Sequence, residues 1–310
     1  MTEKTYDVVI IGAGAAGIQA AIHASRKKTD VLMLGRIENS ALYTAHIENY
    51  AFLDGVRAGR DLLETGLAQV KRFGTEVSPE DVLLIAPQDG LFQLELESGG
   101  KVAARTIIFA MGVAKKKLGV PGEKEFAGRG VSYCVDCDAN FYRGARVAVA
   151  GNRSAAVDGA LTLLGYADKV YLVTRELDIS ANLMKRLQES NVEIIDKNWI
   201  KAIEGENAAT TIRLENGDSL DVDGVFIELG SKGALELATQ VGVQLDMETF
   251  KYIDTNRRQE TNIPGIYAAG DIAGPPFQMA KAVGEGCVAG MAAATYAGKL
   301  KRRKPGDAAK

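Results

Sequence analysis

The 310-residue chain is poor in cysteine, histidine and tryptophan, and it carries no excess of basic charge. It contains three cysteines, two histidines and one tryptophan, and 37 basic against 40 acidic residues give a formal net charge of −3. So few cysteines, and an odd number of them, are unlike the disulfide framework of a small secreted domain. The charge balance argues against nucleic acid as a partner, because proteins that bind nucleic acid usually carry a basic patch.

Long apolar segments are also missing from the sequence. No hydrophobic run reaches the ~18–20 residues that a membrane-spanning helix requires, so we expect no membrane partner. The first residues run directly into a predicted strand and lack the basic and apolar regions of a signal peptide. From these two absences we expect a cytoplasmic protein.

What the sequence does have is glycine at the ends of predicted strands. The 34 glycines accompany 46% hydrophobic and 25% charged residues, which is an ordinary balance for a globular protein. An apolar strand is predicted over residues 6–11, a glycine-rich loop over 12–17, an Ala-rich helix over 18–25 and a second strand over 31–34. This order of strand, loop, helix and strand is typical of a nucleotide-binding α/β protein.

The loop has the dinucleotide-binding pattern Gly12-x-Gly14-x-x-Gly17. Gly12 allows a tight turn, Gly14 lets the backbone approach a pyrophosphate, and Gly17 lets the helix pack closely on the strand. The amino end of the helix supplies N–H donors to the phosphates. We therefore predict a dinucleotide at this loop, with Glu38 as the acidic partner that is expected about 20 residues further on.

A second unit of the same kind follows about 140 residues later in the chain. Residues 147–150 form a predicted strand, 151–156 a loop, 157–164 a helix and 170–173 another strand. A supersecondary plan that occurs twice predicts an α/β fold with two Rossmann-like nucleotide-binding domains.

The second domain is predicted to be inserted into the first. Residues 265–271 and the helix that begins near Met279 look like a return to the first domain. We expect the first segment of the first domain at residues 1–114, the inserted domain with the paired cysteines at 115–244, and the return segment with the C-terminal tail at 245–310.

Cys134 and Cys137 form the only paired-cysteine motif. Structural zinc needs four ligands, and the sequence offers neither a second Cys-x-x-Cys nor a nearby histidine, so we predict no metal. Two intervening residues let both sulfurs share one turn, and a disulfide can then form and break with little backbone motion. We predict a redox-active pair, with Asp138 placed to exchange the proton that moves in thiol–disulfide exchange. Cys287, among small residues, is predicted to be a buried and unreactive thiol.

Further motifs extend along nearly the whole chain. They are Glu48-Asn49-Tyr50, Ala110-Met-Gly112, Val120-Pro-Gly-Glu123, Ser132-Tyr-Cys-x-x-Cys-Asp138, Tyr267-Ala-Ala-Gly-Asp271, and Gln278-Met279 before Gly284-Glu-Gly-Cys287. Together with the loop at residues 12–17, they make the chain resemble the low-molecular-weight thioredoxin reductases. In that family, the first half and the C-terminal segment hold FAD, and the middle lobe holds NADPH and the Cys-x-x-Cys motif. The resemblance implies an FAD-dependent, homodimeric enzyme that acts on a thioredoxin-like protein disulfide.

The resemblance also assigns roles to individual residues. It implies that Cys137 faces the flavin and that Cys134 attacks the substrate disulfide. It places Gly270 and Asp271 at the ribityl–phosphate region, Gln278 and Met279 beside the isoalloxazine, and Asn49 and Thr44 along the flavin. The full set of residues that we expect to bind FAD is Gly12, Gly14, Ala15, Ala16, Gly17, Glu38, Leu42, Thr44, Asn49, Val82, Ala110, Gly112, Gly270, Asp271, Gln278 and Met279.

The sequence departs from the family in the second domain, where a second nucleotide would bind. The family's GxGxxA loop is replaced by Gly151-Asn-Arg153-Ser-Ala-Ala156, which puts an arginine where the backbone should approach a pyrophosphate. The usual GxxPNT turn is replaced by Gly230-Ser-Lys-Gly-Ala234. The residues of this second nucleotide site are Gly151, Asn152, Arg153, Ser154, Arg175 and Glu176.

The arginine run that binds the 2′-phosphate of NADPH is also altered. The family pattern HRR-x-x-x-R reads Thr174-Arg175-Glu176 at its start, and the second and third arginines are missing. Glu176 would repel a 2′-phosphate, because both groups are negatively charged. Three departures at one ligand site predict that the protein does not use NADPH.

The resemblance then points to the branch of the family that does not depend on pyridine nucleotides. Its members take electrons from ferredoxin or carry a second flavin in the vacated lobe, so we expect FAD together with a ferredoxin donor or a second FAD. Two alternatives stay open. Glu176, at the predicted end of a strand, could bind the ribose diol of NADH. A flavoprotein that had lost its electron input could instead serve as a non-catalytic redox sensor.

Overall fold

The computed structural model describes residues 4–113 and 117–302. These residues divide into two compact units. The first unit includes residues 4–96, 100–113 and 237–302, and the second includes 97–99 and 117–236. The predicted domain boundary between residues 114 and 115 falls outside the described residues, and the one between 244 and 245 stays a prediction.

The helices and strands follow the predicted order. Up to residue 113 they are β1 (Thr5–Ile11), α1 (Ala15–Arg26), β2 (Val31–Leu34), β3 (His46–Ile47), β4 (Arg57–Ala58), α2 (Gly59–Arg72), β5 (Glu76–Ser78), β6 (Val82–Gln88), β7 (Leu91–Leu96) and β8 (Lys101–Phe109). From residue 117 onwards they are β9 (Val131–Ser132), α3 (Val135–Asp138), β10 (Arg146–Ala150), α4 (Ser154–Leu163), β11 (Lys169–Val173), α5 (Ala181–Gln188), β12 (Glu193–Ile195), β13 (Ile200–Gly205), β14 (Ala209–Leu214), β15 (Ser219–Asp221), β16 (Gly224–Ile227), α6 (Ala234–Gln240), β17 (Ile266–Ala268) and α7 (Met279–Arg302).

A seven-stranded sheet lies at the centre of the first unit. Its strands run in the order β5-β2-β1-β8-β7-β6, and β17 also pairs with β8. β1 is parallel to both of its neighbours, and Ile10 is paired with Met33 on one side and with Ile108 on the other. All three side chains are fully buried, so burial of apolar surface holds this part of the sheet together. The return segment adds a strand, since Ile266 pairs with Ile107.

The second unit has a five-stranded parallel sheet in the order β12-β11-β10-β16-β9. Val149 in its central strand is paired with Leu172 and with Phe226, and all three side chains are buried. A three-stranded antiparallel sheet, β13-β14-β15, accompanies it. In the first unit, β1 lies between β2, which follows the helix of the glycine loop, and the later strand β8. In the second unit, β10 lies in the same way between β11 and β16, and this order is typical of Rossmann folds. The predicted α/β fold with two Rossmann-like halves is confirmed.

Helix α7 carries the return segment onto the start of α1. A Cβ on Gly286 would stand 2.2 Å from the carbonyl oxygen of Ala16, so the two helix backbones are in direct contact there. The end of α7 is basic, with Lys299, Lys301 and Arg302 in its last turn. Over the two described stretches of chain, no helix is long and apolar enough to cross a membrane.

Candidate active site

The glycine loop of the first unit is shaped by close backbone contacts. Gly12 has a φ of 121°, and a Cβ there would stand 2.3 Å from the carbonyl oxygen of Ala110. A Cβ on Gly17 would stand 1.9 Å from the carbonyl oxygen of Gly12. At Gly14, the N-cap of α1, a Cβ would meet only the side chain of Ser40, at 3.2 Å from its Oγ, and no side chain of the described residues caps the helix. The amino end of α1 therefore offers its N–H groups to an anion such as a pyrophosphate.

Three predicted FAD residues lie on short 3₁₀ helices after β2. Glu38 is exposed on Ile37–Asn39, and Leu42 and Thr44 belong to Ala41–Thr44. An exposed carboxylate just beyond the second strand is where a Rossmann fold binds a ribose diol, so Glu38 fits its predicted role.

Val82 is buried at the start of β6. Its neighbour Asp81 pairs with Arg36 over 2.9 Å, next to the 3₁₀ helix that carries Glu38. This ion pair links the start of β6 to the segment before Glu38, and the contact of Val82 with FAD stays a prediction.

Two residues that the resemblance places beside the flavin are in contact. Nδ2 of Asn49 donates a hydrogen bond to Oε1 of Gln278 over 3.0 Å, and both side chains are exposed. Met279, the first residue of α7, is half-buried next to them. The contact joins a loop of the first segment to the beginning of the last helix.

Asp271 stands at the start of a 3₁₀ helix, Asp271–Ala273, just after β17. The preceding Gly270 has a φ of 85°, and its N–H donates to Oε2 of Glu285 over 2.9 Å. Nζ of Lys281 donates to the carbonyl oxygen of Gly270 and pairs with Glu285. Burial raises the pKa of Asp271, Lys281 lowers it and Glu285 raises it, and the net shift is upward.

The residues present in the first unit fit FAD. An uncapped helix end, a loop that excludes side chains and an acid after the second strand are what a flavin dinucleotide needs. All sixteen predicted residues lie in this unit, including Ala15 and Ala16 in the first turn of α1 and Ala110 and Gly112 just after β8. Their individual contacts with FAD stay predictions.

Cys134 and Cys137 form a disulfide in the second unit. Their Cα atoms are 5.3 Å apart, and Cys134 is the N-cap of the one-turn helix α3. The N–H of Cys137 donates to Sγ of Cys134 over 3.2 Å. A hydrogen bond to sulfur favours a thiolate, so this one would stabilise Cys134 in its nucleophilic form after reduction. Cys134 is 9% exposed, whereas Cys137 is exposed.

Asp138 is linked to the disulfide turn through Ser132. Oγ of Ser132 donates to Oδ2 of Asp138 over 2.6 Å and accepts the N–H of Cys134 over 3.1 Å. Burial and the charge of Asp138 raise the pKa of nearby Tyr142. No role was predicted for Ser132, although it stands two residues before Cys134 in a family motif.

Two buried glutamates for which no role was predicted also hold this region. Oε1 of Glu228 accepts the N–H of Val135, in the disulfide turn, over 3.2 Å. Oε1 of Glu123 accepts the hydroxyl of Tyr133 over 2.8 Å, and burial followed by this bond raises the pKa of Tyr133 to about 12. Glu123 lies in the family motif at residues 120–123, but nothing in the sequence marks Glu228.

A buried lysine lies among three carboxylates next to the same turn. Nζ of Lys232 is 3.0 Å from Oδ2 of Asp136, 3.1 Å from Oδ2 of Asp158 and 4.0 Å from Oε1 of Glu236. Burial raises the pKa of Glu236 to about 6, and Lys232 lowers it in part. We call these four residues the Lys232 cluster. No sequence pattern predicted this cluster, because Asp136 and Asp158 are far in the chain from each other and from Lys232 and Glu236.

The second glycine loop differs from the first at the amino end of its helix. Arg153 is the N-cap of α4, and its guanidinium pairs with Asp178 over 3.3 Å. The N–H of Ala155, in the first turn of α4, donates to the carbonyl oxygen of Gly230 over 3.2 Å. Ser154, which lies between Arg153 and Ala155 in the sequence, is fully buried. A backbone oxygen thus occupies a donor that a pyrophosphate would use.

The other residues of the second loop are held by contacts within the second unit. A Cβ on Gly151 would stand 2.2 Å from the carbonyl oxygen of Glu228, and the carbonyl oxygen of Asn152 accepts the N–H of Asp178 over 2.8 Å. The loop is therefore tied to neighbouring segments of its own unit.

Arg175 and Glu176 do not converge on a phosphate site. Arg175 is exposed, pairs with Glu215 over 2.5 Å and stacks on Trp199, with its guanidinium carbon 5.4 Å from the ring centroid. Glu176 was expected at the end of a strand, which is wrong: β11 ends at Val173, and Glu176 lies in the exposed bend beyond it.

Cys287 was predicted to be buried, and it is partly exposed on α7 instead. It lies one helical turn before Met291, which is 45% exposed, so this face of α7 is not fully covered. The described ranges contain no group of three or more histidine, cysteine or acidic side chains that could hold a metal ion.

Known proteins that are similar to this chain support the features described above. Residues 6–286 match the sequence profile of the pyridine nucleotide-disulphide oxidoreductase family. A thioredoxin reductase of Listeria innocua is 36% identical, over 99% of this chain and 99% of its own. The chain belongs to the thioredoxin reductases of this family. It is an FAD-dependent disulfide oxidoreductase, as its motifs predicted.

Two solved structures of thioredoxin reductases are similar to this family member. The atypical thioredoxin reductase TRi of Desulfovibrio vulgaris Hildenborough is 36% identical, with a TM-score of 0.80 over 97% of this chain and 100% of that one. A ferredoxin-flavin thioredoxin reductase of Clostridium acetobutylicum is 33% identical, with a TM-score of 0.67 and the same coverage of both chains. The homodimer and the cytoplasmic address stay predictions.

Proposed function

We propose that this thioredoxin reductase works without NADPH, and that it passes electrons from FAD to a thioredoxin-like protein disulfide through Cys134 and Cys137. The observation that carries the proposal is the hydrogen bond from the N–H of Ala155 to the carbonyl oxygen of Gly230. It closes the helix end at which the second nucleotide of the family would bind its pyrophosphate.

The two glycine loops of the chain provide an internal comparison. Gly14 leaves the amino end of α1 open, whereas Arg153 and the Gly230 carbonyl crowd the amino end of α4. A carbonyl oxygen carries partial negative charge, so it repels a phosphate oxygen as well as competing with it for the N–H. One loop is suited to a dinucleotide and the other is not.

The 2′-phosphate of NADPH would also find few partners. Such a phosphate needs convergent guanidinium groups, because Arg–phosphate pairs are bidentate and charge-assisted. Arg175 is already paired with Glu215, and Glu176 adds a negative charge beside it. Loss of two charged hydrogen bonds, at roughly 1.5–3 kcal/mol each, weakens binding by about two to four decades.

The electron donor that we propose is a ferredoxin, and we propose one FAD per chain. A second FAD would need a pyrophosphate site in the second unit, and the Gly230 carbonyl opposes it as it opposes NADPH. The relative from Clostridium acetobutylicum bears the name ferredoxin-flavin thioredoxin reductase, which supports a protein donor. Because a ferredoxin carries single electrons, two donor molecules or two encounters reduce one disulfide.

The residues of the second unit then carry out thiol–disulfide exchange. When bound and reduced by the donor, FAD would supply the electron pair that, with two protons, converts the Cys134–Cys137 disulfide into two thiols. The Cys134 thiolate attacks the substrate disulfide, so that a mixed disulfide forms and one substrate thiolate leaves. Cys137 attacks the mixed disulfide, which restores the protein disulfide and releases the second substrate thiolate. Asp138, held by Ser132, exchanges protons with the leaving thiolates.

The test is anaerobic mixing of the oxidised protein with NADPH, NADH or a reduced ferredoxin while the flavin absorbance is recorded. We expect bleaching by reduced ferredoxin and none by NADPH on the time scale of turnover, which is about one second or less for most enzymes. Rapid bleaching by sub-millimolar NADPH would contradict the proposal. Bleaching by NADH alone would assign Glu176 to a ribose diol, and two FAD per chain would contradict the single-flavin form.

A further inference from the structure

The Lys232 cluster ties the disulfide turn to two other elements of the second unit. Asp136 lies between the two cysteines on α3, Asp158 lies on α4, and Glu236 lies in the first turn of α6. Lys232 is 7% exposed and contacts all three carboxylates. A lysine this deeply buried is rare unless it is paired.

The surroundings of the disulfide are rich in negative charge. The ionisable groups that face the turn come from the elements around it: Asp136 and Asp138 on α3, Tyr133 before α3 with its partner Glu123, Tyr142 on the following 3₁₀ helix, Asp158 on α4, Glu228 after β16, Glu236 on α6 and Lys232 before α6. Lys232 is the cation among these groups. It therefore offsets the charge that would otherwise act on the two sulfurs.

A gain in folding stability is a weak explanation for the presence of the Lys232 cluster. Taking an ammonium and its carboxylates out of water costs several kcal/mol per ion, and a buried ion pair often contributes little net stability. Its contribution here is geometric and electrostatic, because Nζ pairs with the side chain of Asp136, a residue that lies between Cys134 and Cys137 in the sequence. The helix α3 is only one turn long, and its position depends on neighbouring side chains such as Ser132, Glu228 and Lys232.

We infer that Lys232 is a positioning residue for the redox reaction, which holds the Cys134–Cys137 turn through Asp136 and favours the thiolate form of the reduced pair. The inference rests on the proposed redox role of this disulfide. Lys232 belongs to the segment 230–234, where the family resemblance leads one to expect a nucleotide-binding turn. In this chain, Gly230 caps α4 and Lys232 serves the disulfide, so the segment supports thiol chemistry in place of nucleotide binding.

The charges around the reduced cysteine pair determine the direction in which the pH midpoint of its alkylation should shift in each variant. A nearby cation favours a thiolate and a nearby carboxylate disfavours it. Lys232→Met keeps the length of the side chain and leaves three carboxylates without their ammonium group. We expect the pH midpoint for alkylation of the reduced pair to rise by about one unit, which is a tenfold loss of thiolate near neutral pH. Asp136→Asn removes a negative charge, so it should move the midpoint down.

The experiment measures alkylation of the dithiothreitol-reduced, FAD-bound protein by iodoacetamide from pH 5 to 9. All variants carry Cys287→Ser, so that the remaining thiols belong to the pair, and peptide mass spectrometry gives a rate for each cysteine. Lys232→Arg keeps the charge and should restore most of the lost rate. Lys185→Met is the matched control, because that lysine is 74% exposed on α5, and its profile should superpose on the background.

Superposed profiles for Lys232→Met and the background, or a downward midpoint in Lys232→Met, would overturn the inference. If Lys232→Met fails to fold, Asp136→Asn decides alone: a midpoint that stays or rises overturns the inference, and one that falls supports it. Failure of the proposed function shows differently. In that case, the dithionite-reduced wild type does not reduce thioredoxin, whatever the alkylation profiles show.

Discussion

Gly290 of α7 lies directly against Ala20 of α1, and a Cβ on Gly290 would stand 2.3 Å from the carbonyl oxygen of Ala20. The same approach occurs one turn earlier, between Gly286 and Ala16. Because α1 begins at the first glycine loop, the contact between the two helices also fixes the direction of the N–H groups at which we expect the pyrophosphate of FAD.

Gly290→Ala should therefore destabilise the protein. The added methyl group would force the helices apart, and overpacking of this kind costs about 1–3 kcal/mol. Gly298→Ala on the same helix is the control, since its Cβ would meet only the far end of Arg302, at 3.8 Å. That change should stabilise α7 by roughly 0.5–1 kcal/mol, because alanine favours a helix over glycine. Urea denaturation followed by circular dichroism measures both, and equal shifts would contradict the described contact.

Gly14→Arg should abolish retention of FAD. The side chain would enter the space between the start of α1 and Ser40, where the pyrophosphate is expected. The control is Gly165→Arg, an exposed position whose Cβ would have only an ordinary contact with the carbonyl oxygen of Thr162. Absorbance and chromatography of heat-released flavin measure the result. We expect FAD and not FMN from the wild type and the control. A yellow Gly14→Arg protein would refute the site.

Replacement of both Cys134 and Cys137 by serine should leave FAD bound and reduce electron transfer to background. The predicted FAD residues lie in the first unit and the disulfide in the second, so flavin content and thiol exchange should separate cleanly. The assay is transfer from dithionite-reduced protein to thioredoxin disulfide. Cys287→Ser should retain transfer, because Cys287 lies on α7 and outside the disulfide turn. Full activity of the double variant would rule out the proposed exchange.

Glu236→Gln should change how stability depends on pH. Burial raises the pKa of Glu236 from 4.5 to about 6. The unfolded chain therefore loses this proton at lower pH than the folded one, and the wild type loses stability as pH rises between these values, by at most about 2 kcal/mol. The glutamine variant lacks this loss, so its advantage should grow from pH 4.5 to 6 and then level off. Urea titrations at several pH values, with the exposed Glu189→Gln as control, give the comparison; parallel curves for Glu236→Gln and the wild type would refute it.

Local patterns were enough to predict the framework of the fold. The strand at residues 31–34 has the predicted limits, and α1 begins three residues earlier than expected, at Ala15. The Gly12 and Gly17 positions are readable from sequence because each must avoid a clash with backbone only a few residues away or on an adjacent strand. Short-range steric constraints of this kind limit the residues that a position can accept, so they can be recognised in the sequence.

The contacts on which the proposed function and the further inference rest could not be predicted from the sequence. The Gly230 carbonyl reaches Ala155, and Lys232 reaches Asp136, only after the second sheet has formed. A lysine and an aspartate far apart in sequence are ordinary surface residues by composition, and only packing shows that they are paired, with the lysine buried. Arg175 illustrates the reverse case, since it looked like a remnant of a phosphate site and is paired with Glu215.

The insertion of one unit into the other has a consequence for synthesis. The second unit consists almost entirely of a continuous stretch up to residue 236, so nearly all of its partners have left the ribosome before the chain is finished. The first unit must wait for β17 to pair with β8 and for α7 to reach α1. Since compact units fold as their residues become available, the thiol-bearing half can fold during translation, and flavin capture comes last. A ribosome-stalled chain that ends before β17 should bind no FAD and should already protect the second unit from proteolysis.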